Sequence, residues 1–299
     1  MKYLMMGETK VSVVGLGTWQ FGEVGWGWGS ELDYEEAIKI VHRALELGVN
    51  FFDTAEVYGN GKSEEILGEA LSGAREQAFI ATKVAPPLRP DRIMRSANDS
   101  LQRLKIETID LYQLHAPDRN VPLDRTMRAI RKLLDEGYIK QVGVSNFTLE
   151  QWQQAEEALG SSIISNQVQY HLLNRQARNL LPYAHETGKI ITAFSPLAQG
   201  LLSGKYGVDN VPQDLRANFG IFNNDSLSRA PAILNVLSEI ADHHRSTPAQ
   251  VALSWLMLDS RVMVIPGART VQQLELNAEA SDLKLTPGEA MMIEEATRI

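Results

Sequence analysis

Eight short runs of β-branched and apolar residues recur along this chain, most of them apolar on both alternating faces. The first lies within Lys10–Trp19. The others are Val49–Asp53, Ala78–Lys83, Ile109–His115, Ile139–Ser145, Ile163–Gln169, Ile190–Phe194 and Val262–Ile265. A strand wetted on one face alternates apolar with polar residues; one apolar on both faces is covered on both, as parallel strands are. Helix-start signals fill the gaps. Asp33 precedes Glu36, Thr148 precedes Gln151, Thr247 precedes Gln250 and Thr286 precedes Glu289 at capping-box spacing, with Pro248 and Pro287 at first helical positions. Gly48 and Gly160 stand where two of these helices would stop. Strands and helices alternating in this way over 299 residues predict an α/β fold, a closed (β/α)8 TIM barrel in preference to an open doubly wound sheet.

No linker, charge block or low-complexity tract divides the sequence, so residues 1–299 are expected to form one barrel domain, with Met1–Met6 a short strand leading into it. One connection is long. It runs from Pro196 to about Leu227 (196–227) and contains LAQGLLSGKYG; loops of that length in compact domains are commonly functional.

With no cysteine in the chain, disulfides, thiolate ligands and a cysteine nucleophile are excluded, which fits a reducing cytoplasm. A formal charge of -8 argues against nucleic acid or an anionic membrane surface as the main partner. The opening MKYLMMGETK has too short an apolar core for a signal peptide, and no apolar run approaches the roughly 20 residues that span a bilayer. The expectation is a cytoplasmic protein acting on a small molecule, with no metal. His243 and His244 are adjacent, lack ligand spacing, and read as surface helix residues. Gly61-Lys62-Ser63 imitates the end of a phosphate loop, but Glu56 stands where its first glycine is required, so Ser63 reads as a helix cap.

Asp53, Lys83 and His115 each end a separate strand run. In a closed barrel those ends share one mouth, where active sites are built. Alternation puts Lys83 on the side of Ala81 and Phe79, and Asp53 on the side of Phe51 and Val49, so three ionisable groups meet above an apolar tube. Tyr58 joins them from the loop after Asp53. A nearby ammonium favours a phenolate and is expected to lower the tyrosine's pKa, while Asp53 keeps Lys83 charged. His115 is placed to hydrogen-bond a substrate oxygen or relay a proton. Such a group is an acid aimed at an oxygen gaining negative charge, as a carbonyl does when it receives hydride.

The stretches GLGTW, NFFDTAEVYGNG, ATKV, DLYQLH, GVSNF, NQVQY, AFSPLAQGLLSGKY and IPGART resemble, in order and spacing, the aldo-keto reductase family over nearly the whole chain. The resemblance implies a nicotinamide cofactor lying across the strand ends and an Asp-Tyr-Lys-His tetrad at Asp53, Tyr58, Lys83 and His115. It implies that Ser145, Asn146 and Gln167 hold the nicotinamide carboxamide and that Phe194 stacks on the ring. Ser195 and Leu197 would begin the pyrophosphate wall, with backbone amides of Gly200, Leu201, Ser203 and Lys205 closing over the phosphates. Many members carry a lysine in an IPKS run for the 2'-phosphate; here Gly267 stands in that run, and Arg269 at a helix start is the replacement cation, with Gln273 and Asn277 on the adenine side. NADPH is preferred to NADH on that ground. Trp19, with Trp26 or Trp28, would wall the substrate pocket.

Two other functions fit some of the same residues. A strand-end lysine can form a Schiff base, so Lys83 as the nucleophile of an aldolase is one. A nicotinamide-binding sensor or accessory subunit with little turnover is the other.

Overall fold

A computed structural model describes residues 1–218 and 220–298; Phe219, within the 196–227 stretch, and Ile299, the last residue of the expected domain, lie outside the described residues. The chain opens on an antiparallel hairpin of β1 (Tyr3–Met6) and β2 (Thr9–Ser12), turning through Gly7 at φ 60°. Eight parallel strands follow: β3 (Leu16–Gly17), β4 (Phe51–Asp53), β5 (Phe79–Val84), β6 (Ile109–Leu114), β7 (Ile139–Ser145), β8 (Ser165–Gln169), β9 (Ile190–Phe194) and β10 (Val262–Val264). They pair in sequence order, and parallel bridges from Val14 to Val264 and from Gly17 to Gly267 close the sheet on itself. The seam is tight. A Cβ on Gly17 would stand 2.9 Å from the Ile265 carbonyl oxygen, so the first and last strands approach this closely because position 17 is glycine.

The expected first strand is therefore two pieces. Lys10–Ser12 belongs to the hairpin, and only Leu16–Gly17 pairs regularly with β4. Between them Gly15 N–H donates to Val264 at 2.8 Å and Val264 N–H to Val13 at 2.9 Å, which commits this backbone to the seam.

The helices are α1 (Tyr34–Glu46), α2 (Lys62–Ala70), α3 (Pro90–Leu104), α4 (Leu123–Asp135), α5 (Leu149–Leu159), α6 (Leu181–Thr187), α7 (Asn224–His244), α8 (Pro248–Leu256), α9 (Val271–Glu279) and α10 (Pro287–Ala296). Thr148, Thr247 and Thr286 form reciprocal capping boxes, and Asp33 accepts from Glu36 N–H at 2.9 Å. Ser63 is no cap. Helix α2 starts after Gly61 without a side-chain cap, and the Ser63 hydroxyl turns inward, donating to the Thr18 carbonyl at 2.9 Å and accepting from Thr54 at 2.9 Å. It ties the loops after β3 and β4 together. The 196–227 stretch carries 3-10 turns at Ala198–Ser203, Leu215–Asn218 and Gly220–Phe222 before α7 begins.

Inside the cylinder, Phe51, Phe79, Ala81, Leu111 and Met263 pack with Met6 and Val11 from the hairpin. Phe51 and Phe79 stack with centroids 5.4 Å apart. The hairpin closes the amino-terminal end of the cylinder, where Gln141 Nε2 donates to the Met6 carbonyl at 3.2 Å. Two larger apolar layers lie between strands and helices; each fully buried Leu, Ile or Phe there contributes about 1.5–3 kcal/mol.

Candidate active site

The opposite mouth is polar because the inward positions of successive strands change character there. Strand β4 offers Phe51 and then Asp53; β5 offers Phe79, Ala81 and then Lys83; β6 offers Leu111, Gln113 and, one residue past its end, His115. Register refines the expectation of matched ends. Asp53 pairs with Ala81, and Lys83 with Gln113, so Lys83 rises one pleat above Asp53 and its stem carries the ammonium back. Its Nζ lies 2.6 Å from Asp53 Oδ1, 2.8 Å from the Thr54 carbonyl and 3.3 Å from the Tyr58 hydroxyl.

Lys83 is 0 % exposed and Asp53 2 %. Burial works against the ammonium, but Asp53, then Tyr58, outweigh it, and the lysine's pKa is raised above its usual value. Asp53 has two further partners. Gln167 Nε2 donates to its Oδ2 at 2.7 Å and Gln113 Nε2 at 3.3 Å, so every close partner donates toward the carboxylate.

Tyr58 corrects the sequence expectation. Burial raises its pKa more than Lys83 lowers it, and the net shift is upward, so the hydroxyl keeps its proton at neutral pH. The loop that presents it is anchored by Glu56, whose Oε1 accepts from Ala85 N–H at 2.8 Å and from Arg92 at 2.7 Å. Its ring meets His115 edge-on, centroids 5.7 Å apart at 80°. Burial, helped by repulsion from Lys83, lowers the His115 pKa to about 3, leaving a neutral imidazole. Among the described residues no group of three or more His, Asp, Glu or Cys could hold a metal ion.

A cleft of about 690 Å³ opens over these groups, within the range of small-molecule and cofactor sites. Asp53, Tyr58 and His115 line it, with Lys83 sealed behind them. Ser145, Asn146, Gln167 and Phe194 line its floor. Ser145 donates to the Gln167 carbonyl at 2.9 Å, and Asn146, in a left-handed conformation at φ 61°, donates to the His115 carbonyl at 3.1 Å. Ser195, Leu197, Gly200, Ser203 and Lys205 continue the wall. Leu201 does not: its side chain is buried in the core, leaving only its backbone for any ligand.

Gly267, Arg269, Gln273 and Asn277 line the far end. Thr270 caps α9, and Gln273 Oε1 accepts from Arg269 N–H at 2.8 Å. Arg269 itself is engaged, its Nη1 paired with Glu31 from the loop before α1. Trp19 and Trp26 line the tetrad end and pack on each other with centroids 4.8 Å apart, whereas Trp28 packs against the core.

Sequence reading passed over several residues of this site. Gln113 sits two residues before His115 in DLYQLH, so strand parity alone aims it inward. Gln20 Nε2 donates to the Gly17 carbonyl at 3.1 Å and the Ala268 carbonyl at 2.9 Å, across the seam. Arg216 lines the cleft, paired with Asp214 and lying over the rings of Trp26 and Tyr206 at 5.5 and 5.1 Å. No periodic signal marks a loop arginine of that kind.

The chain is 45% identical over 301 residues to an uncharacterized oxidoreductase of Mycobacterium tuberculosis strain H37Rv, covering 100% of this chain and 93% of the relative. It is 31% identical over 293 residues to a methylglyoxal reductase of Escherichia coli K12, covering 97% and 92%. A crystal structure of an aldo-keto reductase from Klebsiella pneumoniae in complex with NADPH superposes with a TM-score of 0.77 at 29% identity, covering 96% of this chain and 92% of that one. The family model described as "Aldo/keto reductase family" matches residues 13–298, and the chain belongs to that family.

Proposed function

We propose that this protein reduces an aldehyde or ketone to an alcohol with NADPH, with Tyr58 as the general acid. The observation that carries the reading is the contact of Lys83 Nζ with both Asp53, at 2.6 Å, and the Tyr58 hydroxyl, at 3.3 Å. The donor set fits an extended dinucleotide. Amide and hydroxyl groups of Ser145, Asn146 and Gln167 suit a carboxamide, Phe194 offers an aromatic face beside them, and cations at Lys205, Arg216 and Arg269 line the same cleft. At Ser195, Ala198 and Gln199 the backbone takes left-handed conformations of φ 48°, 51° and 55°, the kind of turn whose N–H groups converge on an anion. The α9 amino terminus beside Arg269 adds a further site for a phosphate.

When bound, NADPH supplies the hydride. Tyr58 gives its proton to the substrate oxygen as charge develops there. The Lys83 ammonium stabilises the phenolate left behind, and Asp53 holds that ammonium in place. His115, neutral, offers a hydrogen bond to the same oxygen and adds no charge of its own. Trp19, Trp26 and Val57 line this end of the cleft, so a substrate with an apolar body is favoured over a charged one. An aldolase reading of Lys83 is disfavoured by the same contacts, since Schiff-base formation needs an unprotonated, accessible amine.

The test is a panel of carbonyl compounds run with NADPH and with NADH and followed by cofactor absorbance, on the parent protein and on Tyr58→Phe. Turnover that disappears in the variant while NADPH still binds supports the reading. Equal turnover in both overturns it, and cofactor binding without turnover across the panel favours a sensor.

A further inference from the structure

Arg269 lines the cleft and is 14% exposed, yet its Nη1 is already paired with Glu31, from the loop before α1, which is 57% exposed. The pair is closely fitted. A Cβ placed on Gly27 would stand 3.2 Å from Glu31 Cβ and 3.4 Å from Arg269 Nη1. Arg216, the neighbouring cation of the same wall, is likewise covered by Asp214. Glu31 favours the charge on Arg216, and Arg269 favours that on Asp214, so the four charges form one cluster.

We infer that Glu31 sets the protein's discrimination between NADPH and NADH. The inference rests on the proposed assignment of Arg269 to the 2'-phosphate. A phosphate arriving there carries nearly two negative charges and meets a carboxylate already held on the same cation, which repels it and competes for the guanidinium. A ribose 2'-hydroxyl meets no such repulsion: it can donate to the carboxylate while the ion pair persists. Glu31 therefore weakens NADPH relative to NADH, and the arginine's preference for phosphate is held below what its charge alone would give. Because Glu31 is exposed and Arg269 is mostly covered, the carboxylate is the partner with room to turn away, and each phosphate bound has to offset its attraction for the arginine.

The experiment measures dissociation constants of NADPH and NADH by quenching of tryptophan fluorescence, for the parent, Glu31→Gln and Arg269→Ala. In Glu31→Gln the ratio of NADPH to NADH affinity should rise about tenfold, mainly through tighter NADPH. In Arg269→Ala that ratio should fall by a similar factor. If Arg269→Ala lowers the ratio but Glu31→Gln leaves it within about twofold of the parent, or lowers it, this inference is overturned while the placement of the phosphate stands. If Arg269→Ala leaves NADPH affinity unchanged, the phosphate is bound elsewhere, and both ideas fall together. Adenosine 2',5'-bisphosphate against 5'-AMP, as competitors, should reproduce the same ratios without the nicotinamide half; ratios insensitive to Glu31→Gln would also overturn it.

Discussion

Lys83 Nζ and Asp53 Oδ1 lie 2.6 Å apart at the mouth of an apolar cylinder, with both side chains buried. Taking either charge away leaves the other buried without its counter-ion, held only by neutral partners: Gln167 and Gln113 for Asp53, the Thr54 carbonyl and Tyr58 for Lys83. Lys83→Met should cost about 3–5 kcal/mol of stability in urea denaturation. Combining it with Asp53→Asn should recover much of that loss, because the second change removes the stranded charge. A single variant within about 1 kcal/mol of the parent would show that the pair is far better solvated than its burial implies.

Tyr58→Phe removes one hydroxyl and little else. A positioned general acid contributes about 100- to 10,000-fold in rate, and the fall in kcat should lie in that range. The dissociation constant for NADPH, read by fluorescence, should change by less than about twofold, because the phenol touches the Lys83 ammonium rather than the Arg269 end of the cleft.

Acid should weaken the fold through two histidines. Burial first, and for His115 also Lys83, holds His115 at about 3 and His171 at about 4, below the ordinary 6.5. Below pH 6.5 the unfolded chain binds protons that the folded chain refuses, so stability present above that pH is lost as pH falls toward these values. Each histidine adds a slope of up to about 1.4 kcal/mol per pH unit. Denaturation midpoints between pH 7 and 5 should fall accordingly, and less steeply in His171→Gln. The same shift predicts that reduction shows no kinetic limb near pH 6.5; a limb there that vanished in His115→Gln would contradict a neutral imidazole.

Gln199 takes a left-handed conformation at φ 55°, which costs a side chain with a Cβ roughly 1–2 kcal/mol. Glycine relieves that strain, offset by its own extra entropy in the unfolded chain. Gln199→Gly should therefore raise stability by about 1 kcal/mol or less. A loss of more than that, measured in urea, would mean that the side chain has a structural role its geometry does not show.

How far the fold could be read in advance depended on how local its causes were. Helix starts at Thr148, Thr247 and Thr286 were legible because a capping box is written within four residues. Inward-facing Asp53, Lys83 and His115 were legible from alternation, and Gln113 was available by the same reasoning. What escaped was set by long-range competition. Ser63 carries a cap's sequence but bonds to Thr18 and Thr54, which only the closed barrel brings near it. The sign of the Tyr58 shift is a contest between an attractive charge and the loss of water; the sequence names the first and is silent on the extent of the second. Glu31 and Arg269 are separated by most of the chain, and nothing in either segment announces their meeting.

The hairpin beneath the barrel has a bearing on chemistry at the far end. Met6 and Val11 pack with Phe51, Phe79, Ala81 and Leu111, so the cylinder is filled with apolar side chains on the side away from the cleft. Asp53, Tyr58 and His115 meet the cleft on the opposite side, with Lys83 0 % exposed behind them. On the proposed reading, a ligand filling the cleft would cut Tyr58 off from bulk water, and two short strands with no side chain in the site would guard its other side.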